Sequence, residues 1–106
     1  MSELDELQQR IDEWHERNFG KPAQALRALI ICEEAGELAH VVLKQEQGIR
    51  SATAQDEHLR DAMGDIVIAL CALAASRGWS LWECVEETAA RVLQRDWVAD
   101  RENGGE

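Results

Sequence analysis

Apolar residues recur at steps of three and four along most of this chain, the spacing of one face of an α-helix. Leu4, Leu7, Ile11 and Trp14 form the first such stripe. It predicts a helix from about Ser2 to Arg17, with Trp14 among its core positions. Asn18-Phe19-Gly20 ends it, and Pro22 suits the first turn of the next helix. That second helix is expected from about Pro22 to Gln47, closed by Gly48, and its stripe reads Leu26, Ile30, Glu34, Glu37, Val41. A polar connection over Gly48 to Gln55 leads to a third helix from about Asp56 to Arg77, ended by Gly78. Ser80-Leu81-Trp82-Glu83 has the spacing of a capping box and opens a fourth helix running to about Arg95. No strand alternation and no internal repeat interrupts this pattern. It predicts an all-α fold, a four-helix bundle with mostly antiparallel neighbours. One domain over residues 1–97 would be followed by a polar tail over 98–106.

Composition supports that reading and narrows the partners. The chain has 106 residues, 45% of them hydrophobic and 30% charged, with one proline. That is globular and helix-favouring. A net charge of −10 argues against binding nucleic acid through its phosphates, which needs a basic face. Cys32, Cys71 and Cys84 are odd in number, lack CxxC spacing and lie in apolar helical runs, so they are expected as reduced core cysteines. The N-terminus is acidic and polar, unlike a signal peptide. The longest apolar run, Ile66 to Ala75, is about half a membrane span. A cytoplasmic protein without a membrane partner is the expectation. The apolar content of the four helices also suits a homodimer or homotetramer that completes a larger bundle, with Trp82 and Trp97 as candidate interface residues.

Carboxylates break the second stripe. Glu33-Glu34-Ala35-Gly36-Glu37 puts acids where a packing face is otherwise apolar. Such groups cost several kcal/mol unless paired, protonated or bound to a cation. A second acidic series, Glu57, Asp61 and Asp65, is spaced by four on the third helix; Asp61 and Asp65 share a face, whereas Glu57 reads as surface. If the second and third helices pack antiparallel, Glu34 and Glu37 face Asp61 and Asp65. A hard-oxygen set of this kind suits Mg²⁺, or Mn²⁺. Glu37-Leu38-Ala39-His40 is also an ExxH, as in di-iron bundles. Those need a second copy, and His58 precedes Asp61 instead of following a carboxylate by three.

These elements together resemble the MazG-like family of all-α nucleoside triphosphate pyrophosphohydrolases. The family pattern is EExxE, a spacer, and ExxD at the head of an apolar helix. Glu33-Glu34-Ala35-Gly36-Glu37 matches the first half, and Asp61-Ala62-Met63-Gly64-Asp65 the second. Trp14, Lys44-Gln45-Glu46-Gln47-Gly48 and Arg95-Asp96-Trp97 extend the likeness over most of the chain. One position departs: three before Asp65, where the family has Glu, stands Ala62, with Asp61 beside it as a substitute. The resemblance implies hydrolysis of a (deoxy)nucleoside triphosphate to the monophosphate and pyrophosphate by a homo-oligomer. It implies Mg²⁺ held by Glu34, Glu37, Asp65 and Asp61, with Glu33 taking the proton of the attacking water. Substrate contacts fall to Lys44, two turns beyond Glu37, to Trp14 if it stacks on a base, and to Arg95. The departure at Ala62 feeds a second expectation, a non-catalytic oligomerisation or nucleotide-binding module derived from the family.

Overall fold

The structure is a computed structural model that describes residues 1–21, 24–48 and 52–99, with side chains from residue 55 onward in the last of these segments. It contains α1 (Glu3–Phe19), α2 (Gln24–Gln47), α3 (Ala52–Ser76) and α4 (Leu81–Val92), and no strand among the described residues. The expected all-α class is what the chain adopts. Pro22, residues 49–51 and residues 100–106, which hold most of the expected tail, lie outside the described residues.

The helix ends follow local chemistry. Ser2 caps α1: the Asp5 N–H donates to Ser2 Oγ at 3.0 Å, and the Ser2 N–H donates to Asp5 Oδ2 at 3.0 Å. Glu3, Asp5 and Glu6 occupy its first turn, where the helix dipole favours anions. α1 runs two residues past Arg17 and stops at Gly20 (φ 72°), whose N–H donates to the Glu16 carbonyl at 2.9 Å. Ser80 Oγ accepts from the Glu83 N–H at 3.1 Å and donates to Asp5 Oδ1 at 2.5 Å. The caps of α4 and α1 are thereby tied together.

α3 starts at Ala52, four residues earlier than the apolar stripe suggested. α4 ends at Val92, short of Arg95.

α2 and α3 form an antiparallel hairpin with a seam of period 3.5. Its inner positions are Arg27, Ile31, Glu34, Leu38, Val41 and Gln45 on α2. Across it lie Gln55, Leu59, Ala62, Ile66, Ala69 and Leu73 on α3, all buried or half-buried. Arg27 Nη1 donates to the Ala72 carbonyl at 2.6 Å, and Gln55 Nε2 to the Lys44 carbonyl at 3.4 Å, one bond near each end. Leu26 and Ile30, expected on the packing face, are exposed. The true seam is displaced by one residue from them and meets the expected stripe at Glu34 and Val41, while Glu37, also expected on it, is exposed. Two stripes one residue apart, each with apolar members, cannot be separated by periodicity alone.

α1 packs against α3 and α4, while among the described residues close backbone packing joins α2 to α3 alone. Its buried face is Gln8, Ile11 and His15. Leu7 and Trp14 are exposed instead, which corrects Trp14 as a core residue. Polar burial explains the rotation. Gln8 Nε2 donates to the Trp79 carbonyl at 2.8 Å, and the Leu81 N–H donates to Gln8 Oε1 at 2.9 Å. This buried amide holds the turn between α3 and α4 from both sides. Trp14 stacks edge-on with Phe19 at 5.6 Å. Cys71 is fully buried, as expected of a core cysteine, but Cys32 is exposed.

Candidate metal centre

The hairpin register decides which acids meet. Glu34 occupies a seam position one turn from Ile31 and Leu38. Asp65 lies beside Ile66 in the facing layer, and Glu37 flanks the seam one turn after Glu34. One carboxylate oxygen from each of Glu34, Glu37 and Asp65 lies within 4.8 Å of the others. Glu34 is half-buried, whereas Glu37 and Asp65 are exposed, so the group opens to solvent on one side of a two-helix ribbon.

The electrostatics single out Glu34. Its Oε2 is buried and has no hydrogen-bond partner. Burial first, then the charges of Glu37 and Asp65, raise its carboxyl above the ordinary range. A charged group loses solvation in such a place and gains only repulsion from its neighbours. Protonation relieves that cost, and so does a cation. Donor atoms within 4.8 Å of one another share a point about 2.8 Å or less from each, so small side-chain adjustments bring them to hard-cation distances. The donor set is all oxygen, which fits a hard divalent ion.

The other expected residues take varied places. Glu33 is exposed next to Glu34 and adds to the field on it. Asp61 is exposed and stands outside the three-carboxylate group. Ala62, in contrast, is 5% exposed and lies in the seam. Lys44 is half-buried in the last turn of α2, its ammonium donating to Gln47 Oε1 at 3.3 Å. Arg95 follows the end of α4 and is exposed, and Trp14 sits on the outer face of α1. His40 and His58 are exposed and do not join the carboxylates.

Arg27 escaped the sequence reading. It is 5% exposed, with Nη1 on Ala72 and Nε unpartnered. A lone arginine in an apolar helical run gives no signal of which turn it faces. Among the described residues no helix is long and apolar enough to cross a membrane.

Residues 22–97 match the family described as the MazG nucleotide pyrophosphohydrolase domain. No curated protein and no solved structure matches the chain.

Proposed function

The chain belongs to the MazG nucleotide pyrophosphohydrolase domain family, and from that premise we propose that it is a metal-dependent nucleoside triphosphate pyrophosphohydrolase. The reaction would take a (deoxy)nucleoside triphosphate and water to the monophosphate and pyrophosphate. The observation that carries this reading is the convergence of Glu34, Glu37 and Asp65 around a buried, unpartnered carboxylate oxygen. A divalent ion, Mg²⁺ or Mn²⁺, would neutralise charge developing on the triphosphate and orient its leaving group.

The chain's own residues divide the remaining work. Glu34, Glu37 and Asp65 hold the ion on the hairpin, with Asp61 assigned to water around it. Glu33, on the solvent side of Glu34, accepts a proton from the attacking water. Lys44 lies two turns beyond Glu37, about 10 Å along α2, within reach of the far end of an extended triphosphate. Trp14 and Arg95 are the remaining candidates for base and phosphate contacts.

The assembly is proposed as a homodimer or homotetramer acting in the cytoplasm, without nucleic acid or membrane partners. The chain exposes 8074 Å², about a third more than the roughly 6000 Å² of a compact monomer of its mass. Among the described residues, no helix other than α3 packs its backbone closely against α2, which leaves a face for a second copy.

Pyrophosphate release from a panel of NTPs and dNTPs, with Mg²⁺, with Mn²⁺ and with EDTA, tests the activity. Metal-dependent release with monophosphate as co-product is the expected result. Absence of turnover from folded, metal-replete protein would favour the non-catalytic module instead.

A further inference from the structure

We propose that the cavity between α1 and the start of α2 binds the nucleobase and selects guanine, with Arg27 meeting its O6 and N7 and Asp12 meeting its N1–H and N2 amine. This rests on the nucleotide reading above and names the class of nucleotide.

The lining of this cavity of about 400 Å³ includes Asp12 and Glu16 on α1, Lys21, Gln24 and Arg27 around the start of α2, and Ser76 at the end of α3. Its size is that of an ordinary ligand pocket. Two of its four charges offset each other at the rim, where Lys21 Nζ lies 3.6 Å from Glu16 Oε1 and both side chains are mostly exposed. No other ion pair forms among the described residues, so Arg27 and Asp12 face the same cavity without pairing. Arg27 is 5% exposed, yet its guanidinium makes a single hydrogen bond, from Nη1 to the Ala72 carbonyl, and its Nε has no partner. A charge so placed is costly until acceptors meet it. With Nη1 engaged, Nε and Nη2 remain, two adjacent donors on one edge that suit two acceptors side by side. Asp12 is half-buried and accepts no hydrogen bond among the described residues.

The four charges sum to zero, and the two carboxylates would repel a phosphate. The cavity suits a neutral planar group with acceptors on one edge and donors on the next. Guanine is that group. Its O6 and N7 accept together, the pairing arginine makes most often with a base, and its N1–H and N2 amine are neighbouring donors for one carboxylate. Adenine puts a donor where O6 stands, and cytosine and uracil lack the N7 acceptor.

The cavity lies on the side of the hairpin that carries the acids. Ser76 is eleven residues, or three turns, beyond Asp65 and shares its side of α3. Arg27 is seven residues before Glu34, about 10 Å along α2. A ribose and an α-phosphate bridge that span, and the rest of the triphosphate then extends toward Lys44. Trp14 lines a different cavity with Arg10 and Arg17 and takes no part in reading the base.

Calorimetry of GMP, IMP, AMP, CMP and UMP on the full chain in EDTA tests this, since the metal is absent and the phosphate is the same in all five. GMP should bind about tenfold tighter than each of the others, the scale of one bidentate pair. IMP lacks only the N2 amine, so Asp12→Asn should close the gap between GMP and IMP. Arg27→Lys keeps the charge and loses the fork, and should narrow the gap between GMP and AMP. Equal affinities for all five, or binding of none, would overturn the inference, while pyrophosphate release from the NTP panel decides the reaction separately. A gap between GMP and IMP that survives Asp12→Asn would also overturn it. Where Arg27→Lys does not fold, Asp12→Asn decides. Guanine-selective binding without turnover of any triphosphate would keep the base pocket and overturn the reaction.

Discussion

Arg27 on α2 donates through Nη1 to the Ala72 carbonyl on α3 at 2.6 Å, in a buried position. Seven residues on from Arg27 is Glu34, and seven back from Ala72 is Asp65. Seven residues are two turns of a heptad seam, so this bond lies in register with the layer that carries the acids. Hydrogen bonds from a charged donor contribute about 1.5–3 kcal/mol. Arg27→Ala should therefore lower unfolding free energy by about 2 kcal/mol in urea titration and weaken Mn²⁺ binding through loss of register. Unchanged stability would mean that the apolar seam alone holds the two helices in place.

Glu37 and Asp61 make a paired test of the ligand assignment. Glu37 belongs to the three-carboxylate group and Asp61 does not. Glu37→Gln keeps the size and removes the charge, so metal-dependent turnover should fall about 100-fold or more, the scale of losing one preorganised electrostatic contact. Asp61→Asn should change turnover by no more than a few-fold. Wild-type turnover in Glu37→Gln would show that the chemistry lies elsewhere. A collapse in Asp61→Asn would place that side chain on the ion.

The raised carboxyl of Glu34 has a definite sign in stability. Burial and the charges of Glu37 and Asp65 hold its folded value above its unfolded one. Its protonated form is thus favoured by folding, and that contribution is lost as pH rises through the folded value. His15 works in the opposite direction. Burial first and then Arg27 lower its value below the ordinary 6.5, so stability falls as acid protonates it. Comparing Glu34→Gln with the wild type cancels the histidine. In metal-free buffer the variant should melt higher at pH 7, and the gap should close as the pH falls toward the carboxylate range. At saturating Mg²⁺ the order should reverse. A gap independent of pH would show that Glu34 does not feel its neighbours.

The parts of this architecture legible in the sequence are those with strong local signals. Ser2 and Ser80 mark helix starts, Gly20 and Gly78 mark ends, and the acids of the EExxE stretch mark the candidate site. Rotation about the helix axis was harder. On α1 the apolar stripe pointed to Leu7 and Trp14, yet Gln8 and His15 are inside. A glutamine that bonds both Trp79 and Leu81 is worth burying, but those partners are more than seventy residues away. On α2, Leu26 and Ile30 compete with Arg27 and Ile31 for the inner face. The choice depends on the Ala72 carbonyl across the hairpin, which no local pattern encodes. The same rotation separates buried Ala62 from exposed Asp61, and the order of residues alone does not say which one faces the acids.

The exposed apolar residues give the last prediction. Leu26, Leu29 and Ile30 on α2, with Met63, Val67 and Ile68 on α3, are between 40% and 63% exposed. They lie on the hairpin that carries the acids, outside its seam. Burying one aliphatic side chain of this size is worth about 1.5–3 kcal/mol, and an obligate subunit interface removes 2000 Å² or more in total. A chain that exposes 8074 Å² has that area to give. Sedimentation or light scattering at micromolar concentration should therefore find a dimer or tetramer. Ile30→Glu, which puts a charge on that face without touching the seam, should shift the population toward monomer and lower the melting temperature. It should also weaken Mn²⁺ binding less than Glu37→Gln, since the three donors stay in place. A wild-type protein that runs as a monomer would leave these residues without a partner copy and remove the homo-oligomer from the proposed function.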